Sequence, residues 1–510
     1  MTLSERILNR LAQNPDKKVF SDRFGACSAG QIETQISEIH RHLDRLTRPG
    51  DRIAICLPNS SALAIALLAI VTAQRVPVFE PDTAALIIGG FGGQNESSLT
   101  FIEIDENAQV LQIMKKDELS RKSFKPAFLA LQTSGSMGEP KTVRLGENGL
   151  SYIIDTLIER FSLDDHAVTP VILPMNHTFA LNTQFFPVFL AGGTCVFLNP
   201  ALEFARLFKI MIDTRATFVS LVGRLLFQNY EEKNRYRLPS AVNVTDVQLA
   251  GDIVSNRQLD LAHELFPHAR IHIGYGSTET IRVAMTVLER GSYSPGLCGS
   301  PLLGETVEIR DGTGKVLRNG EIGEIFVRGP NLMLGYDDGS DGATEALAPP
   351  AGPIGADGFY GMGDVGSMRD SVLTFSGRKD RLFKCNGLMV VPIEIERRLL
   401  ANEIVKSAIC RPLPDEKSGH VPLVFVDVDS VVFNSQNEFN SAVQSLASSV
   451  SSLSLPIRII LGPLIFESES GQAASGKIAD SALIARAEQV IGKGSPVANV
   501  MGSLFWRAEE

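Results

Sequence analysis

The sequence has little that marks a secreted, membrane-spanning or nucleic-acid-binding protein. Its 510 residues include only six cysteines, and these are scattered without a CxxC pair. Such spacing favours reduced thiols in a cytoplasmic protein over a disulfide framework or a zinc site. The formal net charge of −10 argues against general binding to nucleic acid or to an anionic membrane.

Long apolar runs are also scarce. Residues 1–18 lack the apolar core of a signal peptide. The most apolar run, Ala62–Val71, is too short to cross a bilayer and therefore predicts a buried helix. The hydrophobic share of 44% and the charged share of 21% are typical of globular proteins, and the length indicates two or more domains.

The first residues with a chemical pattern are TSGSMGEPK, Thr133–Lys141. Small residues let a backbone turn tightly and bring its N–H groups close to an anion. Hydroxyl side chains and Lys141 add donors and a positive charge, so the stretch predicts a loop that binds a polyphosphate. The spacing excludes a Walker A loop, because no glycine precedes the lysine. The alternative is a surface turn that ends at Pro140.

The residues near the N-terminus predict alternating helices and strands. Leu3–Leu11 and Ala29–Leu46 have the periodicity of amphipathic helices. A strand is expected before the buried helix, which either Asn59 or Ser60 would cap. Val76–Pro81 is expected to be the next strand. Strand, helix and strand in this order indicate a βαβ unit with a parallel sheet.

Two later strands end in residues suited to a nucleotide. One ends in Ala250, Gly251 and Asp252, where small side chains let a planar ring approach the backbone. The other ends in GYGSTE, in which Thr278 offers a hydroxyl and Glu279 a hard oxygen ligand for Mg²⁺. The alternative for Glu279 is an ordinary solvated loop carboxylate.

Taken together, these segments resemble the adenylate-forming superfamily, which includes acyl- and aryl-CoA ligases, luciferases and the adenylation domains of peptide synthetases. The family's signatures recur in the family's order, and they cover most of the chain. They are TSGSMGEPK, GYGSTE at Gly274–Glu279, GD at Gly363–Asp364, GRKDRLFKCNG at Gly377–Gly387 and SGKI at Ser475–Ile478.

The resemblance implies an α/β fold with a mobile lid. A large body of α/β subdomains with a β-rich subdomain would take residues 1–378. A small C-terminal α/β lid domain would take residues 379–510, with its hinge at Asp380. Residues 82–128 are shorter than the corresponding part of relatives, which implies a trimmed N-terminal subdomain.

The resemblance also assigns residues to ATP and to catalysis. Catalytic roles fall on Lys141, His177, Thr278, Glu279 and Lys477, and Glu279 would also hold Mg²⁺. The last of these matches is imperfect, because Gly471 stands where relatives have a proline. The nucleotide-binding residues would be Thr133, Ser134, Gly135, Ser136, Gly138, Ala250, Gly251, Asp252, Gly274, Tyr275, Gly276, Ser277, Asp364 and Arg378.

The acyl pocket is placed by the same resemblance. On the residues alone, a histidine such as His177 beside an apolar helix is more often a packed or capping residue. Members that activate aryl or fatty acids have a histidine in this PMxH context, and members that activate amino acids usually have an aspartate nearby, which is missing here. A free α-amino acid is therefore disfavoured. The candidate lining residues are His177, Phe179, Asn182, Ser220, Gly223, Arg282 and Val283.

Arg282 departs from the pattern, because relatives that activate plain aromatic acids tend to have an apolar residue there. We consider two alternatives. The arginine either contacts a polar or acidic substituent of the substrate, or it forms a salt bridge outside the pocket.

The implied activity is ATP-dependent activation of an aryl or fatty carboxylic acid to acyl-AMP. The acyl group would then pass to the thiol of coenzyme A or of a carrier protein's phosphopantetheine, with Lys384 and Gly387 on the lid face that serves this step. Two alternatives stay open: an adenylation enzyme dedicated to one carrier protein, and a non-catalytic nucleotide-binding relative. The second is suggested by Met137 and by Met362, which replaces the usual threonine.

Overall fold

The first part of the chain forms helices against two sheets. The computed structural model describes residues 1–81, 84–90, 100–114, 126–133, 141–199, 206–251, 253–290, 293–337, 354–402, 404–415, 417–428, 436–453, 455–461, 498–500 and 503–507. Its first elements are α1 Leu3–Gln13, β1 Lys18–Asp22, β2 Gly25–Ser28, α2 Ala29–Leu46, β3 Arg52–Cys56, α3 Ser61–Thr72, β4 Val76–Val78, β5 Leu86–Gly89, β6 Thr100–Ile104 and β7 Val110–Met114.

Local chemistry explains where these helices begin. The Ser60 hydroxyl accepts a hydrogen bond from the Leu63 N–H and caps α3, whose residues from Ser61 to Val71 are all buried. Asn59 instead anchors a distant loop, because its amide donates to the Leu173 carbonyl at 2.8 Å. β3 pairs parallel with both β4 and β5, so the predicted βαβ unit is confirmed.

The middle of the chain alternates helices and strands. Its elements are β8 Leu129–Thr133, β9 Lys141–Leu145, α4 Glu147–Phe161, β10 Val168–Val171, α5 Thr178–Ala180, a π-helical turn Leu181–Phe185, α6 Phe186–Ala191, β11 Thr194–Phe197, α7 Leu207–Asp213, β12 Phe218–Leu221, α8 Gly223–Tyr236, β13 Asp246–Leu249, α9 Asn256–Leu265, β14 Arg270–Tyr275 and β15 Ala284–Leu288. Strands β12, β13 and β14 run parallel, so their carboxyl ends lie along one edge.

The next part is rich in strands, as the sequence predicts. It contains β16 Leu297–Pro301, β17 Thr306–Arg310, β18 Ile322–Arg328, β19 Gly335–Tyr336, β20 Tyr360–Arg369 and β21 Val372–Arg378. These strands extend the parallel β12–β14 unit into one long sheet in the order β12-β13-β14-β15-β16-β21-β20-β18-β17, while β19 joins β9 and β8. Three strands separate β14 from β20 in this order, and the two strands meet through the Tyr275 hydroxyl, which donates to Asp364 at 2.6 Å.

Residues from Phe383 onward build a sheet and a core of their own. A 3₁₀ turn at Lys379–Arg381 leads to β22 Phe383–Cys385, β23 Leu388–Val390, α10 Pro392–Leu400, β24 Val405–Asp415, β25 Gly419–Val428, α11 Gln436–Val450, a 3₁₀ turn Ser451–Leu453, β26 Arg458–Leu461, β27 Ala498–Val500 and β28 Ser503–Arg507. Their buried side chains form a hydrophobic cluster distinct from those of residues 1–378. We call residues 383–507 the C-terminal part and residues 1–378 the body.

Arginine and lysine side chains of the C-terminal part contact the body. Arg397 of α10 donates a hydrogen bond to the Phe375 carbonyl of the body, and Lys406 lies 3.3 Å from the Glu231 carboxylate. Gly296 lies beside Arg397 with a φ of +91°, and a Cβ there would overlap the guanidinium. The absence of a side chain at Gly296 thus lets Arg397 reach the body.

The mixed α/β architecture agrees with the predicted fold class. The six cysteines are free thiols, as their spacing predicts. Across the described residues, no helix combines the length and the apolar character needed to cross a membrane. The predicted division of the chain at residue 378 and the mobility of the lid stay predictions.

Candidate active site

The predicted phosphate loop connects two paired strands. Thr133 at the end of β8 lies opposite Lys141 at the start of β9, and the Thr133 hydroxyl donates to the Lys141 carbonyl at 3.3 Å. The hairpin therefore fixes both ends of the loop. The predicted contacts of Ser134, Gly135, Ser136 and Gly138 lie outside the described residues and stay predictions.

Lys141 belongs to a group that includes Glu279. The Lys141 ammonium lies 5.0 Å from the centroid of the Tyr336 ring. The Tyr336 hydroxyl in turn donates to Oε1 of Glu279 at 2.8 Å. A lysine from the phosphate hairpin and the predicted magnesium ligand thus flank a single tyrosine.

Glu279 is held in a loop with strong internal constraints. The Ser277 N–H donates to the Thr280 hydroxyl at 3.0 Å, and Ile281 has a left-handed φ of +54°. The buried Asn331 amide donates to the carbonyls of Thr280 at 2.8 Å and Arg282 at 2.7 Å. Because a β-branched residue rarely adopts such a φ, these bonds are what keep the loop in place.

Two tyrosines connect Glu279 with the neighbouring strand β20. The hydroxyls of Tyr336 and Tyr360 lie 3.3 Å apart. Burial, followed by the charge of Glu279, raises the pKa of Tyr336 to about 12. The phenol therefore stays protonated at neutral pH and can donate to the carboxylate.

Asp364, four residues after Tyr360 on β20, is engaged through both carboxylate oxygens. Arg378 Nη1 donates to Oδ1 at 3.0 Å, and the Tyr275 hydroxyl donates to Oδ2 at 2.6 Å. Burial raises the pKa of the Asp364 carboxyl, and the nearby Arg378 charge opposes that rise. Lys141, Glu279 and Asp364 are thus linked through Tyr336, Tyr360 and the strand that both sites share.

Met362 packs beside the hydrogen bond between Tyr275 and Asp364. It is 4% exposed, its sulfur lies 3.3 Å from the Tyr275 hydroxyl, and its carbonyl accepts from Arg378 Nη1 at 3.3 Å. The methionine that replaces the usual threonine therefore packs within the predicted ribose site. Tyr275 is placed beside this site, and its predicted contact with the nucleotide stays a prediction.

Arg282 lies inside the molecule, next to the end of β14. It is 2% exposed, and a Cβ on Gly274 would overlap its Nη1. Nη2 donates to Gln248 Oε1 at 3.2 Å and to the Thr183 hydroxyl at 3.4 Å. Among the described residues, no carboxylate lies within ion-pair distance of it.

The Arg282 charge is therefore surrounded by neutral groups. The Phe179 ring centroid lies 5.7 Å from its guanidinium carbon. Burial lowers the pKa of Arg282 to about 10, so the side chain is still a cation at neutral pH. An uncompensated buried charge costs several kcal/mol, which makes the position unusual for a purely structural residue.

The other predicted pocket residues lie around this arginine or near it. Ser220 of β12 is fully buried and accepts from Gln248 Nε2 at 3.1 Å. Asn182, in the π-helical turn, donates to the Thr178 hydroxyl at 2.9 Å, and His177 stands at the N-cap position of α5. These positions agree with a common pocket, but their contact with an acid stays a prediction.

Two pocket predictions fall on packed positions. Val283 is completely buried in the apolar core. Gly223 lies against the Gln258 side chain, where a Cβ would stand 2.8 Å from Nε2. The structure thus supplies a packing reason for both residues, and their roles toward substrate stay predictions.

The remaining predicted residues are placed as follows. Gly251 follows β13 with a φ of +92°, whereas Asp252 lies outside the described residues. Asp380 lies 3.5 Å from Arg378 Nε. Lys384 and Gly387 belong to the β22–β23 hairpin, and Lys477 lies outside the described residues.

Several contributing residues escaped the sequence prediction. Tyr336 and Tyr360 orient Glu279, Asn331 fixes its loop, and Gln248 and Thr183 contact Arg282. Tyr336 ends a stretch that already looked typical of the family, which is the only signal among them. Gln248 and Thr183 come from separate elements without a recognisable motif.

The comparisons with known proteins agree with this arrangement. Residues 91–337 match the family model described as AMP-binding enzyme. A 4-coumarate–CoA ligase-like protein of Arabidopsis thaliana is 27% identical over 58% of this chain, and the match spans about half of that relative, 51%. A 4-coumarate–CoA ligase of Oryza sativa subsp. japonica is 25% identical over 84% of this chain and 85% of its own length.

Solved structures share the fold across nearly the whole chain. ATP-bound MatB from Rhodopseudomonas palustris has a TM-score of 0.76 at 19% identity and covers 95% of this chain and 98% of its own. The anthranilate CoA ligase AuaEII with anthranoyl-AMP has a TM-score of 0.79 at 16% identity, with coverage of 96% and 98%. Residues 91–337 thus form an AMP-binding enzyme domain, and the motif order and the fold of the chain resemble those of the adenylate-forming superfamily.

Proposed function

We propose that this protein joins a carboxylic acid to AMP, using ATP, and then transfers the acyl group to a thiol. The observation that supports the proposal most directly is that Tyr336 contacts both Lys141 and Glu279, and that its hydroxyl lies 3.3 Å from that of Tyr360, on the strand that carries Asp364. The relatives named 4-coumarate–CoA ligase favour coenzyme A as the acceptor.

The first step makes the acid reactive. A carboxylate is a poor electrophile, because its oxygens are poor leaving groups. When one oxygen attacks the α-phosphorus of ATP, a new P–O bond forms, the bond to the β-phosphate breaks, and pyrophosphate leaves. Negative charge spreads over the phosphoryl oxygens, so catalysis depends mainly on positioning and on positive charge.

The described residues fit these needs. Lys141 stands at the end of the phosphate hairpin, where it supplies a cation to the phosphates. Tyr336 orients Glu279 by donating to Oε1, and within the described residues nothing donates to Oε2. Asp364 would accept from the ribose hydroxyls, because each carboxylate oxygen can accept more than one hydrogen bond.

Magnesium would find a fitting but incomplete set of protein ligands at Glu279. No group of three His, Cys, Asp or Glu side chains capable of holding a metal occurs among the described residues. Mg²⁺ commonly takes one or two carboxylates and completes its shell with water and phosphate oxygens. When bound, it would neutralise charge on the phosphates.

The second step would bring a thiol to the acyl-adenylate. The thiol sulfur attacks the acyl carbon, a C–S bond forms, and AMP leaves. Arg378, at the end of the body, contacts both Asp364 of the nucleotide site and Asp380 of the predicted hinge. A turn of the C-terminal part at this point would couple the lid to the nucleotide.

Acid-dependent exchange of labelled pyrophosphate into ATP tests the first step. We expect exchange that requires both magnesium and a carboxylic acid, together with hydroxamate formation when hydroxylamine traps the acyl-adenylate. ATP binding without exchange across fatty, benzoic and cinnamic acids and the corresponding dicarboxylic acids would instead identify a non-catalytic relative.

The acceptor is tested separately. We expect an acyl-CoA product when coenzyme A is added to a mixture that shows exchange. Strong exchange with little product on free coenzyme A, but transfer to a phosphopantetheinylated carrier protein, would assign the protein to the dedicated adenylation enzymes.

A further inference from the structure

Arg282 points to the substrate, because its buried charge has no ion-pair partner among the described residues. Two other buried arginines of the body have one: Arg52 pairs with Asp337, and Arg75 Nη1 lies 2.9 Å from the Asp44 carboxylate. The described residues around Arg282 provide only the neutral side chains of Thr183, Gln248 and Phe179. Within the described part of the chain, Arg282 thus lacks the carboxylate that Arg52 and Arg75 each have.

The hydrogen-bond donors of Arg282 are also only partly used. A guanidinium carries five N–H donors. The bonds to Gln248 and Thr183 both come from Nη2, whereas Nε is buried without a partner and Nη1 makes no hydrogen bond to a described residue. The donors left over suffice for a carboxylate, which binds a guanidinium through two parallel bonds.

Gln248 holds the arginine in this orientation. Its Nε2 donates to the hydroxyls of Thr183 and Ser220, each at 3.1 Å, which turns Oε1 toward Arg282. The carboxamide can accept from the guanidinium but cannot neutralise it. Gln248 is therefore a positioning residue that leaves the positive charge available.

The position of the guanidinium links it to the reacting end of the acid. Its Nη1 lies so close to Gly274 that a Cβ would not fit there. Tyr275, the next residue, donates to Asp364 in the predicted ribose site at 2.6 Å. Thr278 is four residues beyond Gly274, which limits the distance between their backbones to about 14 Å even in an extended chain.

We propose that the acid activated by this protein carries a second carboxylate, which binds Arg282 while the first carboxylate reacts with ATP. The inference rests on the proposed function and narrows its substrate to short dicarboxylic acids, aliphatic or aromatic. The second carboxylate neutralises the buried cation and takes its unused donors. A monocarboxylic acid of the same shape leaves both unsatisfied.

The first experiment uses the unaltered protein. Pyrophosphate exchange is measured with succinate, glutarate and isophthalate, and with the monomethyl ester of each. The ester keeps the shape and removes the second charge. We expect kcat/KM to be about 100-fold or more higher for at least one diacid than for its ester, since unpairing a buried charge has effects of this size.

The second experiment changes the arginine. Arg282→Met removes the charge and keeps an unbranched side chain of comparable length, whereas Arg282→Lys keeps a charge. We expect R282M to lose the preference for the diacid and to accept the ester, and R282K to keep part of the preference. Arg290→Met, at an exposed position, is the matched control and should retain the wild-type preference.

The outcomes separate the two proposals. Equal use of diacids and their esters by the wild-type protein, or efficient exchange only with monocarboxylic acids, overturns the inference but leaves the adenylating activity in place. If no acid supports exchange, both proposals fall. The wild-type comparison is decisive even if R282M does not fold.

Discussion

Two arginines at opposite ends of the candidate site are treated differently by the protein. Arg378 contacts the carboxylates of Asp364 at 3.0 Å and Asp380 at 3.5 Å. Arg282 is more deeply buried and, among the described residues, meets only neutral side chains. The charge of Arg378 is thus neutralised by protein carboxylates at the end where neutral ribose hydroxyls are expected to bind. The charge of Arg282 meets no carboxylate of the described residues, at the end where an anion is expected to bind.

The largest effect on activity should follow from removing the Asp364 carboxylate, which is expected to bind the ribose hydroxyls. Asp364→Asn removes the carboxylate closest to Arg378 and leaves that arginine with only the Asp380 carboxylate, at 3.5 Å. We expect the apparent affinity for ATP to fall about 100-fold, in line with about 2–3 kcal/mol for a hydrogen bond to a charged group. Pyrophosphate exchange against ATP concentration measures this.

The matched control is Asp311→Asn, in the exposed turn between β17 and β18. There the Asp311 side chain accepts hydrogen bonds from Thr313, which asparagine can also accept. An equal loss of ATP affinity in both variants would show that the effect does not come from the ribose end.

The second prediction places a protein carboxylate next to Arg282, where the acid is expected to bind. Gln248→Glu preserves the shape of the side chain and places a carboxylate where an oxygen already accepts from Arg282 at 3.2 Å. We expect the variant to gain thermal stability and to lose most of its activity on diacids, because the internal carboxylate takes the place of the substrate's.

A double-mutant cycle isolates this pair. In the R282M background, Gln248→Glu should destabilise the fold, because the new carboxylate is buried without a partner. The coupling between the two substitutions should be about 2 kcal/mol in the free energy of unfolding. Additive effects would mean that the two side chains do not interact as charges.

The third prediction concerns the orientation of Glu279. Tyr336→Phe removes the phenol that donates to Oε1 at 2.8 Å and leaves the ring beneath Lys141. We expect kcat to fall about tenfold, which corresponds to about 1.4 kcal/mol. The fall in kcat should be the same for every acid. A change in acid preference would contradict the view that Tyr336 acts on the phosphates alone and Arg282 on the acid.

The smallest effect is expected from pH. The pKa of Arg282 is lowered by burial to about 10, so the fraction of the charged form falls as pH rises toward that value. The preference for a diacid over its ester should therefore decline between pH 8 and pH 10, to about half at the upper end. A constant ratio in R282M, which carries no charge at this position, measured in parallel by pyrophosphate exchange, would tie the decline to the guanidinium.

The sequence predicts the scaffold well where local chemistry decides it. The helix Ala29–Leu46 has the predicted bounds, because its cap and its periodicity are local signals. The ends of the parallel strands also carry Thr278 and Glu279 as expected. The ordered motifs predict the resemblance to the superfamily, and the AMP-binding family model over residues 91–337 agrees with it.

The sequence does not predict which side chains complete one another. Gln248 is an ordinary strand residue until β13 is placed beside β12 and the π-helical turn brings Thr183 to it. Asn331 follows Arg282 by almost fifty residues, yet it fixes that residue's backbone. Such contacts depend on tertiary register, which leaves no pattern in the linear order.

Arg397, at the interface between the body and the C-terminal part, has a consequence for turnover. The Arg397 guanidinium donates a hydrogen bond to the Phe375 carbonyl of the body, but its Nε is buried without a partner. Burial also lowers the pKa of this guanidinium. Water would therefore solvate the side chain better than the interface does. We therefore expect this arginine to weaken the docked arrangement, so that a bound nucleotide or thiol would need little differential affinity to favour the rotation predicted for the lid.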